Sequence, residues 1–128
     1  MTHDISRRRL LSGATGVLGG AAAVLLAACA PVGSPEPVAS DDDVQAEVTV
    51  TVSDNRYEPA EVEIAPGQAV RWEFVGPNEH DVVAEDRSFV SELLVEGSYT
   101  HQFSEEGEYA YLCSIHPEMQ GVVRVVAP

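Results

Sequence analysis

Cys113, His116 and Met119 set a thiol, an imidazole and a thioether three residues apart, in Tyr111-Leu-Cys-Ser-Ile-His-Pro-Glu-Met-Gln-Gly121. An extended strand alternates its side chains with period two, so it cannot aim three of them at one point with that spacing. A tight loop leaving a strand can. The spacing therefore predicts a strand ending at Cys113, with His116 and Met119 folding back over it. Taken singly, Cys113 would be a small buried hydrophobe, Met119 a gap-filler and each histidine a structural or surface residue. Together they form a donor set. Soft sulfur ligands select copper, and one Cys with two His in a trigonal plane and a weak axial Met makes an electron-transfer copper site. The second imidazole is assigned to His80, in Pro77-Asn-Glu-His-Asp-Val-Val, at the predicted start of another strand. His101 has no motif partner and is read as structural; His3 falls in the N-terminal segment.

The donor types suit one-electron chemistry. Monovalent copper prefers sulfur and few ligands, whereas divalent copper prefers nitrogen and square geometries; two imidazoles and a thiolate held in a plane satisfy neither fully, so little moves when an electron is exchanged. Cys113 must bind as the thiolate, and the metal enforces this by displacing the proton.

Short alternating segments must position these residues. Glu47-Val-Thr-Val-Thr-Val52 alternates valine with polar residues as a half-buried strand does. Val62-Glu-Ile64 repeats the pattern, and Val70, Trp72 and Phe74 share one face. Gly76-Pro-Asn-Glu79 reads as loop and His80–Ala84 as a strand. Residues 86–95 are ambiguous, with a short strand around Leu93-Leu94. Tyr99, His101 and Phe103 share a face, as do Tyr109, Tyr111 and Cys113, and residues 122–126 close the fold. Seven to eight short strands with frequent turn signals and no helical period predict an all-β Greek-key sandwich or barrel.

The chain has 128 residues, enough for one domain with a modest core. It carries 7 basic residues against 21 acidic ones, a formal charge of -14. Such a surface repels nucleic acid and anionic lipid and favours basic partners or a salty medium. The two cysteines, Cys29 and Cys113, are assigned different chemistry, because one bridge to a flexible tail would constrain little. Haem attachment and the usual structural zinc frameworks have no matching motif.

Residues 1–28 read as an export signal. Ser6-Arg-Arg-Arg-Leu-Leu11 precedes an apolar Gly/Ala-rich run, and Leu26-Ala-Ala-Cys29 has the form of a bacterial lipobox, with the twin arginines Arg7 and Arg8 suggesting the twin-arginine route. Cys29 is the expected lipidation site; a retained helical anchor is the other reading. Removal of the signal leaves four arginines against twenty acids. Residues 29–45, rich in proline and acid, are expected to be a flexible tether, and the folded domain to span 46–128.

Val48 to Val126 resembles the cupredoxins, the small blue copper proteins. The resemblance rests on Tyr57-x-Pro59, Gly67, Trp72, His80, Gly97, Phe103, Gly107-x-Tyr109-x-Tyr111-x-Cys113 and His116-Pro117-x-Met119-x-Gly121. Two residues separate each successive pair of loop ligands, which resembles the short loop of amicyanins rather than the longer one of plastocyanins and pseudoazurins. The resemblance implies one type 1 copper cycling between Cu(I) and Cu(II), held by His80, Cys113, His116 and Met119. It also implies that His116 reaches the surface within an apolar patch, for which Ile115, Pro117 and Pro77 are available, while His80 lies deeper. Family members commonly carry Asn or Thr after the upstream histidine. Here that residue is Asp81, which puts its side-chain contact to Ser114 in doubt.

The expected protein is thus not an enzyme. It is a monomeric, exported electron carrier on the outer face of the cytoplasmic membrane, lipid-anchored through Cys29, exchanging electrons with a redox protein donor and acceptor. Copper delivery by the same fold is the alternative.

Overall fold

Eight strands form two four-stranded sheets in the computed structural model, which describes residues 35–128. They are β1 (Val48–Ser53), β2 (Arg56–Glu58), β3 (Glu61–Ile64), β4 (Ala69–His80), β5 (Val83–Ala84), β6 (Leu94–Gln102), β7 (Gly107–Cys113) and β8 (His116–Val125). One sheet has the order β2-β1-β4-β6 and the other β3-β8-β7-β5. β1 runs parallel to β4, β3 runs parallel to β8, and the remaining neighbours are antiparallel. Among the described residues there is no helix, and the sandwich expected from the alternation is the fold observed. The expected signal at 1–28, the arginine pair and Cys29 lie outside the described residues.

The alternating residues become the core as the two-residue period requires. Val50 and Val52 of β1, Val70, Trp72 and Phe74 of β4, and Val123 and Val125 of β8 are buried between the sheets. Trp72 is central. Its ring stacks on Phe89 at 5.4 Å and meets the edge of Tyr111 at 5.4 Å, joining the two sheets. Each such pair contributes about 0.5–1.5 kcal/mol beyond the area it buries.

Two strand boundaries differ from the sequence reading, and both affect the metal end. His80 ends β4 instead of opening a new strand. Gly76, Pro77 and Asn78 carry breaker chemistry, yet the strand continues through an irregularity between Val75 and His80 before His80 pairs with Leu94. The expected ligand loop is likewise mostly strand. Cys113 pairs with His116, so only Ser114 and Ile115 turn the chain, and β8 begins at His116. Pro117 and Glu118 are both exposed, which breaks the alternation once and lets His116 and Met119, three apart, serve the same end of the sandwich.

Part of the expected tether is docked. Val38 donates its backbone N–H to Val90 O at 2.8 Å and Asp41 donates to Thr100 O at 2.8 Å. In return, the Thr100 N–H donates to Ser40 Oγ at 3.0 Å and the Gln102 N–H to Asp41 Oδ2 at 2.8 Å. β6 is an edge strand, and this strap satisfies backbone groups that an open edge would leave to water or to another chain. The acidic, proline-rich composition did not announce it, because the contacts use backbone groups and short polar side chains rather than apolar burial.

Gly121 sits where the Tyr111 ring crosses β8. A Cβ there would fall well inside contact distance of the ring's Cζ and hydroxyl oxygen. Tyr111 is 1 % exposed and has no room to withdraw. Gly121→Ala should therefore destabilise the domain by about 1–3 kcal/mol, as overpacking does, read as a lowered midpoint in urea unfolding.

Candidate metal centre

The four residues singled out in the sequence come from both sheets. β4 delivers His80 at its last position, β7 delivers Cys113 at its last position, and β8 carries His116 and Met119. Cys113 and His116 face one another across a two-residue turn, which fixes their separation through the backbone ladder.

Three ligand atoms, from His80, Cys113 and His116, lie within 4.8 Å of one another. Cys113 Sγ is 3.8 Å from His80 Nδ1 and 3.9 Å from His116 Nδ1, so both imidazoles turn the same nitrogen towards the sulfur. The two rings are 5.1 Å apart. Such a set leaves space for one ion between the donors, and its types are those that a type 1 copper requires. Met119 is 1 % exposed and belongs to the same buried cluster as Cys113. His80 is 1 % exposed, whereas His116 is half-buried, so the expected difference in depth is present. Ile115, the residue before His116, is 48 % exposed.

The thiol sits in a mixed environment. Burial pushes the Cys113 thiol up, while backbone N–H groups of Asp81, Ile115 and His116 act the other way by favouring the thiolate. A metal ion bound here would replace the proton.

Asp81 does keep the contact to Ser114 that its sequence put in doubt. Ser114 donates its backbone N–H to Asp81 Oδ1 at 2.7 Å and its hydroxyl to Oδ2 at 2.5 Å. Tyr57 adds a hydroxyl hydrogen bond to the Asp81 backbone oxygen at 2.6 Å. An ionised carboxylate is acceptor-only, and serine supplies both donors. The Asp therefore does the tying job of an Asn while leaving a negative charge one residue from a ligand.

His101 lies elsewhere, as expected. Its ring packs 5.1 Å from Phe89 and 4.8 Å from Phe103, with Nδ1 3.6 Å from Asp41 Oδ2. Burial lowers its pKa, and the nearby Asp41 and Asp86 charges oppose the shift. The sequence reading missed Asp54. It lies in the turn after β1, and its Oδ1 is 3.4 Å from His80 Nε2. Nothing in a turn of the form Ser-Asp-Asn-Arg marks it as a neighbour of the site.

Comparison with known proteins agrees with this geometry. Residues 20–125 match the family model of the cupredoxin-like domain. Amicyanin of Paracoccus versutus is 35 % identical over 101 residues, spanning 73 % of this chain and 76 % of the relative. The solved structure of amicyanin from that organism superposes with a TM-score of 0.57 at 32 % identity, covering 73 % of this chain and 94 % of the other. A purple cupredoxin from Nitrosopumilus maritimus superposes with a TM-score of 0.59 at 28 % identity, covering 62 % of this chain and all of the other. With two sheets converging on a His, Cys, His and Met set, these likenesses show that the chain belongs to the cupredoxins and that its cofactor is a single type 1 copper.

Proposed function

We propose that the protein is a one-electron carrier working outside the cytoplasmic membrane, with His80, Cys113, His116 and Met119 as the copper ligands. The observation that carries this reading is the convergence of the His80, Cys113 and His116 donor atoms within 4.8 Å at one end of the sandwich. When bound, copper supplies the Cu(I)/Cu(II) couple. Solved structures of amicyanin include oxidised and Cu(I) forms, which supports a site of this type taking both states.

The chain's own contribution is rigidity and access. Three of the four donors are at most 1 % exposed, so an incoming chelator or acceptor protein cannot reach them without opening the fold. This favours a carrier over a copper-delivery protein. His116 is the donor nearest solvent, and the exposed Ile115 and Pro117 flank it. A partner docked there would stand closest to the centre. The excess of acidic residues would steer a basic partner, over distances near the Debye length of about 10 Å at 0.1 M salt.

Copper(II)-loaded protein should be intensely blue and should bleach reversibly on reduction. Cys113→Ser should abolish the band, and a variant as blue as the parent would overturn the ligand assignment. Met119→Gln should retain copper at a lower reduction potential, because an amide oxygen is a harder donor that favours Cu(II); voltammetry of the two proteins checks the direction.

Partner chemistry is accessible to stopped-flow reduction by a cationic and an anionic donor over a salt series. Association with the cationic donor should slow steeply as salt rises, and association with the anionic donor should not. Ile115→Lys should impair docking at every salt concentration.

Export and anchoring through residues 1–29 belong to the same proposal. Replacing Arg7 and Arg8 by Lys should hold the precursor inside the cell, whereas Cys29→Ala should block lipidation without blocking export. Cell fractionation separates the two, and normal export of the double Lys variant would leave only a general secretory signal.

A further inference from the structure

His80 has two ring nitrogens, and the site uses one. Nδ1 faces Cys113 Sγ at 3.8 Å, so as a metal ligand it would present its lone pair there and leave the proton to the other nitrogen. The proton then belongs on Nε2. Because the ring is 1 % exposed, that N–H needs an acceptor within the protein. Asp54 Oδ1 is 3.4 Å from it.

Asp54 is suited to this by its own surroundings. It comes from the turn between β1 and β2, 26 residues earlier in the chain, where Asn55 adopts a left-handed backbone with φ 63°. Asn78, two residues before His80, donates from Nδ2 to the same Oδ1 at 2.9 Å. The carboxylate is thereby held at a fixed place beside the end of β4 rather than swinging in solvent, although it is 44 % exposed. An ionised carboxylate accepts and never donates, so it admits only one of the two neutral tautomers of the ring. At 3.4 Å the hydrogen bond is long, so Asp54 acts on the metal site through ring orientation and charge more than through the strength of this bond.

We propose that Asp54, steadied by Asn78, is a positioning residue of the metal centre. It fixes His80 as the Nε2–H tautomer, aims Nδ1 at the ion, and biases the site towards the more positive metal state. The inference rests on the reading of His80 as a ligand. Carboxylate partners of ligand histidines typically matter by about 10–100-fold in metal affinity.

The test compares the full-length parent with Asp54→Ala, Asp54→Asn and, as a charge control away from His80, Asp86→Asn. Nitrogen-15 NMR of the imidazoles, in metal-free and Cu(I)-loaded protein, reads the tautomer. Competition with a chromophoric Cu(I) chelator reads affinity, and voltammetry reads potential. Asp54→Ala should show mixed His80 tautomers and a copper affinity lower by about 10–100-fold. Asp54→Asn keeps an acceptor oxygen but no charge, so it should restore the tautomer and most of the affinity while the potential stays above that of the parent. Asp86→Asn should match the parent in tautomer and affinity. If Asp54→Ala leaves the His80 nitrogen shifts and the affinity unchanged, the proposal is overturned. Should Asp54→Ala not fold, Asp54→Asn decides alone: a parental potential overturns the role of the charge. A parent that binds copper without turning blue would instead contradict the ligand set, and the metal-free tautomer comparison would still decide the role of Asp54.

Discussion

A buried carboxylate holds the metal end of this molecule together. Asp81 is 4 % exposed, and both its oxygens are occupied by Ser114. Burying such a group is costly unless its acceptors are satisfied, and here they are satisfied by the turn that carries Cys113 and His116. Asp81 follows His80 directly, so the same contact ties the end of β4 to the end of β7. It adds to the β5–β7 pairing of Val83 with Leu112, which joins the same stretch of chain to the strand that carries the thiolate. Tyr57 braces the arrangement from β2 by bonding the Asp81 backbone.

The donor set is divided unevenly between the sheets. Cys113, His116 and Met119 belong to a single hairpin, β7–β8, whose geometry is local in sequence and set by a two-residue turn. His80 arrives from the facing sheet. A bound ion therefore acts as a cross-link between sheets as well as a redox centre, and by mass action any ligand that binds only the folded chain stabilises it. The same division explains why the upstream histidine needs more support than the others. The hairpin carries its own register, whereas His80 stands at the end of a long strand beyond an irregularity and relies on Asp81 behind it and Asp54 beside it.

Much of this was legible in the sequence where it depended on period and donor chemistry. The valines of β1, the Val70, Trp72 and Phe74 face, and the order of Cys, His and Met required no long-range information. Boundaries were less legible. Gly76, Pro77 and Asn78 have the composition of a loop, yet pairing with β6 resumes at His80 and carries the strand through them. The ligand loop proved to be strand because Cys113 and His116 pair across Ser114 and Ile115, a two-residue turn without the Asn-Gly or Asp-Gly chemistry that marks such a hairpin in sequence. Asp54 was invisible for a different reason: its role is defined by a residue far along the chain that the fold alone brings near. The Asp81 contact was doubted because an acidic side chain stands where the family commonly has Asn or Thr, but Ser114 brings two donors and needs none in return.

The strap across β6 changes how far the domain can travel. A chain free from residue 29 to residue 45 would let the copper end sweep a wide volume, but the first strap contact is already made at Val38. Eight residues, 30–37, then separate Cys29 from Val38, and the nine steps between them, at no more than about 3.6 Å each, reach roughly 32 Å when fully drawn out. For a protein held at Cys29, that is close to the thickness of one bilayer core, about 30 Å. On the proposed anchoring at Cys29, its collisions would be confined to a shallow layer above the membrane, reached by short swings instead of diffusion through the bulk.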